Sequence, residues 1–532
     1  MATPSLAMIP SAIADSKVYS VLPNNGDGDF TFNRDSSATR VGQNGLIQTV
    51  GYFGNDIVLN GDFSNGSTNW ALNSNWSVAN NKATADGTSN SIMFQSNVLQ
   101  DNTLYLVSYT LSNFTQGSIN INLSGVSGVT RTTNGTYTEY VTSGASPSGR
   151  LDIQGSGSFI VSITNISVKE VTGDQPRLNY DISNGVVQSC PSLLLEPAST
   201  NLITYSEDFI QWTDAGTTTV LSNITNPSGG LQSYLLSASS SATNALRYDD
   251  SFSVSANYSY SLFLKAGTSQ EVRMQIYDGS SFFRFAVNPL NNFAVVDQSG
   301  VNSYLIEDFT NGWKRVSINI TTSASASTGY LQIYPDRTGN LNNVYIFGAQ
   351  LEALSYATSY IPNFGQSAGV TRAAETCFGA GTSSTFNSPE GVLYAEISAL
   401  ANDLSTRKIS LSDGTSSNAI YIGYITTTNK IRGYINVANG GGQVVDFTLS
   451  DITAFSKFAV RWLSNGNATF WANGSNVGSM TAGAGFSSST LSQLQFTREQ
   501  GGTAESFFGN TKDIRVYNEA LTDAQLQTLT TL

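Results

Sequence analysis

The stretch PSLLLEPASTNLITYSEDFIQW (Pro191 to Trp212) joins an apolar run, an Asp-Phe pair, a short polar turn and a tryptophan. Upstream, VLNGDFSNGSTNW (Val58 to Trp70) has the same order of elements. Two further stretches, ITNISVKEV (Ile163 to Val171) and VYIFGAQLE (Val344 to Glu352), are apolar and carry a glutamate at or next to their end. These four stretches predict two similar modules, each with a recognisable first and last strand.

Alternation of residue types between these stretches indicates half-buried strands. In EVRMQIYDG (Glu271 to Gly279), for example, Val, Met and Ile occupy one face while Arg, Gln and Tyr occupy the other. TLYLVSYTL (Thr103 to Leu111) also alternates, and Gly-, Asn- and Ser-rich turns separate such runs. A period of two is typical of antiparallel sheets that pack one face on a core. The expected fold class is therefore all-β, with several β-sandwiches including two jelly rolls.

The composition excludes several classes of function. The net charge of −13 argues against nucleic acid and anionic membranes as partners, because both require clustered Lys and Arg. The absence of His removes Ser-His-Asp and Cys-His nucleophile systems and the commonest transition-metal ligand. Cys190 and Cys377 are too few for a disulfide framework and are expected to be idle thiols. The N-terminus shows neither a signal peptide nor a membrane span.

A chain of 532 residues exceeds one hydrophobic core, so about three or four domains are expected. Prolines mark a connector, in which Leu193 to Leu195 are expected to pin neighbouring modules together. The predicted segments are an N-terminal docking arm (1–55), jelly-roll module 1 (56–172), the connector (173–200), jelly-roll module 2 (201–354), a linker (355–385) and a C-terminal sandwich (386–532).

The N-terminal segment has two interpretations. Ile9-Pro10, Leu22-Pro23 and the turn-rich NNGDGD break regular structure, and the apolar surface is too small for a separate core. The segment either packs on its own first domain or serves as an arm that adds strands to a partner.

Three stretches resemble a recurrent architecture of tailed-phage structural proteins: IPSAIADSK… (9–50), PRLNYDISNGVV… (176–209) and ATSYIPNFGQSAGVTRAAETC (357–377). Residues 56–172 resemble an inserted jelly roll of the carbohydrate-binding type. The hairpin WANG, the strand RVYN and the short helix after Thr522 resemble a concanavalin A-like (laminin G-like) sandwich. The resemblance implies a virion location, a homo-oligomer with a trimer favoured, and contacts to other virion proteins.

The best candidate binding face lies in module 2, where aromatic and Arg side chains are expected to point outward. Aromatic rings stack on sugars, and guanidinium groups bind carboxylates or sulfates, so the face suits an acidic glycan. The alternative is a face packed against another module or subunit. Arg432, Tyr434, Arg461 and Trp471 form a weaker set in the C-terminal sandwich. The module 2 set is Arg273, Tyr277, Arg284, Arg315, Tyr330 and Tyr334.

Two other kinds of site are weighed from single residues. The resemblance to carbohydrate-binding jelly rolls implies a structural Ca²⁺ near Glu170 or Glu352, and carboxylates suit that ion. Trp70 and Trp212, which follow the two Asp-Phe pairs, could stack on sugars, but aromatics at strand starts more often pack in their own core.

No catalytic residues are predicted. Sandwich glycosidases need a carboxylate pair at about 5–9.5 Å, and the Glu-x-Asp-x-x-Glu string of concanavalin A-like hydrolases does not occur in the sequence. The expected function is a non-enzymatic structural component of a tailed-phage virion, a tail or head fibre that adheres to host glycans. The alternatives are a virion-borne polysaccharide hydrolase or lyase, and a capsid decoration protein that binds no receptor.

Overall fold

The computed structural model describes residues 2–87, 91–438 and 440–532. Strands make up 51% of the chain and helices 3%, which confirms the all-β prediction. The N-terminal segment forms six short strands before module 1 begins. These strands are β1 (Leu6–Met8), β2 (Ile13–Ala14), β3 (Lys17–Val18), β4 (Phe30–Asn33), β5 (Ala38–Val41) and β6 (Ile47–Val50).

Module 1 is one nine-stranded sheet that folds around two very long strands. Register shifts near Ser108 and Gln116 bend the pair, so that both strands run through both layers of the jelly roll. The strands are β7 (Tyr52–Asp56), β8 (Ala71–Leu72), β9 (Trp76–Ala79), β10 (Lys82–Asp86), β11 (Ser91–Gln95), β12 (Leu104–Leu123), β13 (Val126–Ser127), β14 (Gly135–Thr142) and β15 (Leu151–Gly173).

Module 2 is a sandwich of two six-stranded antiparallel sheets. The connector before it holds β16 (Arg177–Asn179), β17 (Ile182–Ser183), β18 (Val186–Val187), β19 (Ser192–Leu195) and β20 (Ser199–Asn201). Module 2 holds β21 (Thr213–Ala215), β22 (Thr217–Ser222), β23 (Ser233–Ala238), β24 (Ala245–Ser251), β25 (Asn257–Ala266), β26 (Val272–Tyr277), β27 (Phe282–Asn288), β28 (Ala294–Ser299), β29 (Ser303–Asp308), β30 (Trp313–Thr321), β31 (Thr328–Tyr334) and β32 (Asn343–Glu352).

The sheet orders of module 2 are β21-β24-β31-β26-β27-β28 and β22-β23-β32-β25-β30-β29. Val272, Met274 and Ile276 of β26 are buried between the sheets, as their alternation predicts. Leu331 and Ile333 of β31 join the same core. The other side of the first sheet faces outward, and it carries the site described below.

The C-terminal sandwich packs an eight-stranded sheet on a five-stranded sheet, β39-β38-β37-β36-β43. The linker and this sandwich contain β33 (Val370–Arg372), β34 (Thr376–Phe378), β35 (Gly391–Ala399), β36 (Arg407–Ser412), β37 (Ala419–Tyr424), β38 (Lys430–Asn436), β39 (Gln443–Thr448), β40 (Ser456–Trp462), β41 (Asn467–Ala472), β42 (Ser475–Thr481), β43 (Gln493–Gln495), β44 (Gly509–Tyr517) and α1 (Asp523–Thr530). Thr522 caps α1 in a capping box with Gln525, as expected for a helix that begins there.

The N-terminal segment is part of the C-terminal sandwich. β1 pairs antiparallel with β44, with Leu6 opposite Val516, and β4 pairs with β34 of the linker. Leu6, Met8 and Phe32 are fully buried in the core of that sandwich. The segment expected as a docking arm, or as a tail on the first domain, thus adds β1 to a sheet of the last domain and pairs β4 with the linker of its own chain.

The connector extends the same sheet. β19 pairs with β44, and β16 pairs with β19, so the sheet order is β16-β19-β44-β35-β40-β41-β42 with β1 also on β44. Leu193 and Leu195 are buried in the C-terminal core, while β20 pairs with β33. The connector therefore binds the end of the chain to the region between the two jelly rolls.

A buried ionic network joins the N-terminal segment, connector and linker. Glu375 accepts hydrogen bonds from Arg34 at 2.9 Å and from Nε of Arg177 at 2.8 Å. Glu196 pairs with Arg177 at 2.7 Å and with Arg372 at 3.0 Å. All five side chains are at most 3% exposed. The network fixes three distant parts of the chain at one point.

The Phe and Trp residues that open each module are core residues. Phe63 lies 5.5 Å from Trp70 and Phe209 lies 5.2 Å from Trp212, between ring centroids. Each indole N–H donates to a backbone carbonyl, of Asn60 at 3.1 Å in the first case. The rings are buried and do not form sugar-stacking platforms.

Candidate functional site

Five of the six residues predicted as the glycan-binding face lie together on the outward side of the sheet β21-β24-β31-β26-β27-β28. The pairing of β26 with β31 sets Tyr277 opposite Tyr330 and Arg273 opposite Tyr334. Arg284 of β27 lies opposite Gln275 of β26. We call this surface the platform. It comprises Arg247, Arg273, Gln275, Tyr277, Phe282, Arg284, Tyr330, Gln332 and Tyr334.

A strip of aromatic rings crosses the platform. The ring centroid of Tyr277 lies 4.5 Å from that of Phe282 and 5.0 Å from that of Tyr330. The guanidinium carbon of Arg247 lies 3.9 Å from the centroid of Tyr330, in a cation–π contact. Phe282 is 43% exposed, so the strip offers apolar surface to solvent. Such a strip can pack on the apolar faces of sugar rings.

A glycine permits the close approach of the two central strands. A Cβ atom on Gly329 would lie 1.9 Å from the carbonyl oxygen of Tyr277. A side chain at this position would push β31 away from β26. Gly329 therefore helps to hold Tyr330 beside Tyr277.

Amide and phenol groups form a hydrogen-bonded row next to the aromatic strip. Nε2 of Gln275 donates to Oε1 of Gln332 at 2.8 Å, and the hydroxyl of Tyr334 donates to the same Oε1 at 2.7 Å. Nε of Arg284 donates to Oε1 of Gln275 at 3.0 Å. The row fixes these side chains, so a ligand would meet a pre-organised polar surface.

The three arginines of the platform differ in their charge partners. Arg273 forms ion pairs with Glu271 at 3.2 Å and Asp297 at 3.0 Å, and Arg247 pairs with Asp249. Arg284 has no ion pair among the described residues; its guanidinium lies 5.0 Å from the ring of Phe282. Arg284 is therefore the platform cation best suited to bind an anionic group of a ligand.

The phenol of Tyr330 is neutral near pH 7. Partial burial raises the pKa of Tyr330, against the lowering effect of Arg247. The hydroxyl of Tyr277 donates to the carbonyl of Gly279 at 2.9 Å. The ring of Tyr330 therefore presents an uncharged face to a ligand, and this bond fixes the ring of Tyr277.

Arg315, the sixth residue of the predicted face, does not belong to the platform. It lies on β30 in the opposite sheet and is 4% exposed. Its guanidinium donates to the carbonyl of Thr358 at 2.7 Å and to Ser261 at 2.9 Å. The prediction was wrong because alternation shows which side of a strand a residue occupies, but not that the linker covers that side.

The prediction missed Arg247 and Phe282. Arg247 lies on β24, where Leu246 is buried and Asp249 is exposed, so the alternation in ALRYDDS carried a usable signal. Phe282 begins β27 and faces Tyr277 across the strand pair. Nothing in the local sequence separates Phe282 from its buried neighbour Phe283.

The weaker set in the C-terminal sandwich does not form one surface. Arg432 and Tyr434 lie on β38 of the five-stranded sheet, where Arg432 binds Asp446 through two nitrogens. Arg461 and Trp471 lie in the other sheet, and Trp471 packs in the cluster beneath α1. Equivalent alternation on strands of two different sheets produced the apparent set.

The two glutamates proposed for Ca²⁺ lie in different environments. Glu352 is buried, and its carboxylate accepts hydrogen bonds from Ser199 at 2.6 Å and from the backbone and hydroxyl of Thr358. Those donors occupy both of its oxygens. Glu170 lies on β15 opposite Tyr105. Over residues 2–87, 91–438 and 440–532, no group of three or more acidic, His or Cys side chains could hold a metal ion. Calcium near Glu170 stays a prediction.

Glu396 lies on the eight-stranded sheet of the C-terminal sandwich. Glu396 on β35 lies between Lys457 of β40 and Asp513 of β44. Burial raises the pKa of Asp513, while Arg515 lowers it. Glu390 precedes β35.

Cys190 is exposed and Cys377 is buried, and both are free thiols.

No helix in the described parts of the chain is long and apolar enough to cross a membrane. The comparison with curated proteins gave no match. Among solved structures, the chain is similar to the CBM40 of Ruminococcus gnavus IT-sialidase bound to α2,3-sialyllactose, at 16% identity and a TM-score of 0.24, covering 27% of this chain and 83% of that one.

Two tandem-domain structures cover more of the chain. The CBM22-1–CBM22-2 tandem of Paenibacillus barcinonensis Xyn10C matches at 11% identity and a TM-score of 0.20, covering 60% of this chain and all (100%) of that one. Domains LG4-5 of the mouse laminin α1 chain match at 9% identity and a TM-score of 0.19, covering 59% and 91%.

A family model covers part of the C-terminal sandwich. Residues 395–527 match the concanavalin A-like lectin/glucanases superfamily. The match extends from within β35 into α1, so it spans most of the two sheets and the terminal helix. The C-terminal sandwich is a concanavalin A-like, laminin G-like domain.

Proposed function

We propose that this chain is a non-enzymatic structural protein that binds glycans through the platform of module 2. The observation that carries the proposal is the contiguous outward surface of Tyr277, Phe282 and Tyr330 beside a fixed row of Gln275 and Tyr334. Aromatic faces and pre-organised amides are the groups that recognise sugar rings and their hydroxyls.

The ligand class is an acidic polysaccharide. Arg284 keeps its charge without a carboxylate partner among the described residues, next to the exposed ring of Phe282. A guanidinium beside an aromatic ring fits the carboxylate or sulfate of such a glycan in bidentate geometry. The whole protein carries a net charge of −13, which would disfavour binding of an anionic glycan elsewhere.

The setting we propose is the virion of a tailed phage, as a tail or head fibre. The resemblance of residues 9–50, 176–209 and 357–377 to structural proteins of such virions supports this part. A fibre carries several copies, a homotrimer by family expectation, and several weak platforms on one particle bind a host surface with high avidity.

A glycan-array screen with matched variants tests the platform. We expect Tyr277→Ala and Tyr334→Ala each to weaken binding of the best acidic glycan by roughly tenfold, in line with about 1–3 kcal/mol for a lost aromatic contact. Tyr304→Ala, at a 44% exposed tyrosine of the same module outside the platform, is the control. Equal binding by all four proteins would reject the platform.

Two further measurements separate the alternative functions. Incubation of the protein with the bound polysaccharide should release no reducing ends; release of reducing ends would indicate a hydrolase. Purified protein should block adsorption of phage particles to host cells. Failure to block, together with labelling of the capsid surface by electron microscopy, would indicate a decoration protein.

A further inference from the structure

A cleft lies between the two jelly rolls. Its volume is 530 Å³. One wall comes from module 1, with Arg131 and Tyr137, and the other comes from module 2, with Glu207, Asp208 and Tyr234. Phe364 of the linker closes the base. None of these residues belongs to the platform.

A buried arginine contributes an unused donor to this cleft. Arg131 is 5% exposed, and its guanidinium carbon lies 4.4 Å from the ring centroid of Tyr137. Nε donates to the hydroxyl of Tyr109 at 3.3 Å and Nη1 donates to the carbonyl of Phe364 at 3.0 Å. Nη2 makes no hydrogen bond within the described residues and lies 4.0 Å from Oε1 of Glu139. A buried donor without an acceptor is costly, and a ligand oxygen could satisfy it.

The opposite wall supplies acceptors. Glu207 accepts from the hydroxyl of Tyr360 at 3.1 Å, and Asp208 accepts from the hydroxyl of Tyr234 at 3.0 Å. These bonds hold the two carboxylates in place beside the cleft. Asp208 and the ionised form of Glu207 would repel an anionic ligand, whereas hydroxyl groups can donate to both side chains and also accept from Arg131.

Three exposed aliphatic side chains stand among the polar residues that line the cleft. Ile210, Leu221 and Leu231 line it and are 50%, 56% and 60% exposed. Exposed aliphatic side chains around a polar centre fit the alternating apolar and hydroxylated surface of a sugar chain.

From these contacts we propose that the cleft between module 1 and module 2 binds an uncharged oligosaccharide, as a site separate from the platform. Arg131 donates to a sugar oxygen, Glu207 and Asp208 accept from sugar hydroxyls, and Leu221 and Leu231 contact a ring face. Since both modules contribute walls, a bound sugar also joins the two jelly rolls.

A blocking substitution tests the cleft without disturbing its buried groups. Leu221→Trp places a large ring in the cleft at a 56% exposed position, so folding is not at risk. Val220→Trp is the matched control, because Val220 is 53% exposed on the same strand and does not line the cleft. Both changes are made in the Tyr277→Ala/Tyr334→Ala background, which removes the platform.

Titration calorimetry with cello-, xylo-, malto- and chitohexaose gives the result. We expect one of these to bind the platform-deficient chain with one site per chain, Leu221→Trp to weaken it at least tenfold, and Val220→Trp to leave it unchanged. Absence of binding by all four sugars overturns the cleft, as does equal binding by both tryptophan variants. Neither result depends on the platform, whose failure is seen separately in the array screen.

Discussion

Glu375 accepts hydrogen bonds from Arg34, which lies 341 residues earlier in the chain, and from Arg177, which lies 198 residues earlier. Glu196 in turn binds Arg177 and Arg372. Burial alone would raise the pKa of Glu196, but Arg372, Arg177 and the bonds from Ser359 lower the pKa to about 2. The carboxylate therefore stays ionised at pH values well above 2, and the arginines keep their partner there.

Substitution of one network glutamate should be strongly destabilising. Glu375→Gln removes the buried negative charge that pairs with Arg34 and Arg177. We expect a loss of about 3–5 kcal/mol in the free energy of unfolding. Glu505→Gln breaks the surface pair with Lys408 and should cost about 0–1 kcal/mol. Urea denaturation of both variants measures the difference, and equal losses would contradict a structural role for the network.

Glu207 gives the stability of the protein a pH dependence. Burial raises its pKa to about 7, although Tyr360 and Arg131 lower it. The folded state therefore holds a proton that the unfolded state releases near about pH 4.3. Each pKa unit between the two states is worth ~1.4 kcal/mol of stability. The free energy of unfolding therefore falls as the pH rises from about 4.3 toward 7. Glu207→Gln does not titrate, so its free energy of unfolding lacks this fall. Relative to wild type, the free energy of unfolding of the variant should rise by roughly 2 kcal/mol between about pH 5 and about pH 8. Parallel pH profiles of the two proteins in urea would show that Glu207 titrates normally.

At the scale of single residues, the sequence predicted sides of strands but not neighbours. The alternation in β26 and β31 placed Tyr277, Tyr330 and Tyr334 outward, and the structure agrees. The same reasoning failed for Arg315, because the linker residue Thr358, to which it donates, lies 43 residues further along the chain. Covering segments leave no periodic signal in the strand they cover.

At the scale of elements, β1 completes the sheet of the last domain. Leu6 and Met8 are fully buried and lie opposite Val516 and Ile514 of β44. Ser5 and Val516 are 511 residues apart in sequence. A three-residue strand has no detectable partner preference in sequence, so neither interpretation of this segment anticipated that pairing.

Truncation of a buried β1 side chain tests this pairing. Leu6→Ala should lower the free energy of unfolding by about 2–5 kcal/mol, because the cavity opens in a packed core. Ile9→Ala, at a 40% exposed position just after β1, is the control and should change it by less than about 0.5 kcal/mol. A free docking arm would make both variants as stable as wild type.

At the scale of the whole molecule, three sandwiches were predicted, and the described residues form three, with the concanavalin A-like domain last in the chain. Hydrophobic periodicity was sufficient for this level, because each sandwich buries its own alternating strands. The connections were not predictable in the same way. β1 of the N-terminal segment and β19 of the connector both pair with β44 of the last domain. Strands from three distant parts of the chain therefore meet in one sheet.

Hydrogen–deuterium exchange of the full chain, with and without the strongest acidic glycan from the array, tests the central claim most directly. Glycan binding should slow amide exchange in peptides of β26, β27 and β31, with peptides of the C-terminal sandwich unchanged. Protection confined to residues 395–527, or absent from the module 2 strands, would contradict glycan binding at the platform.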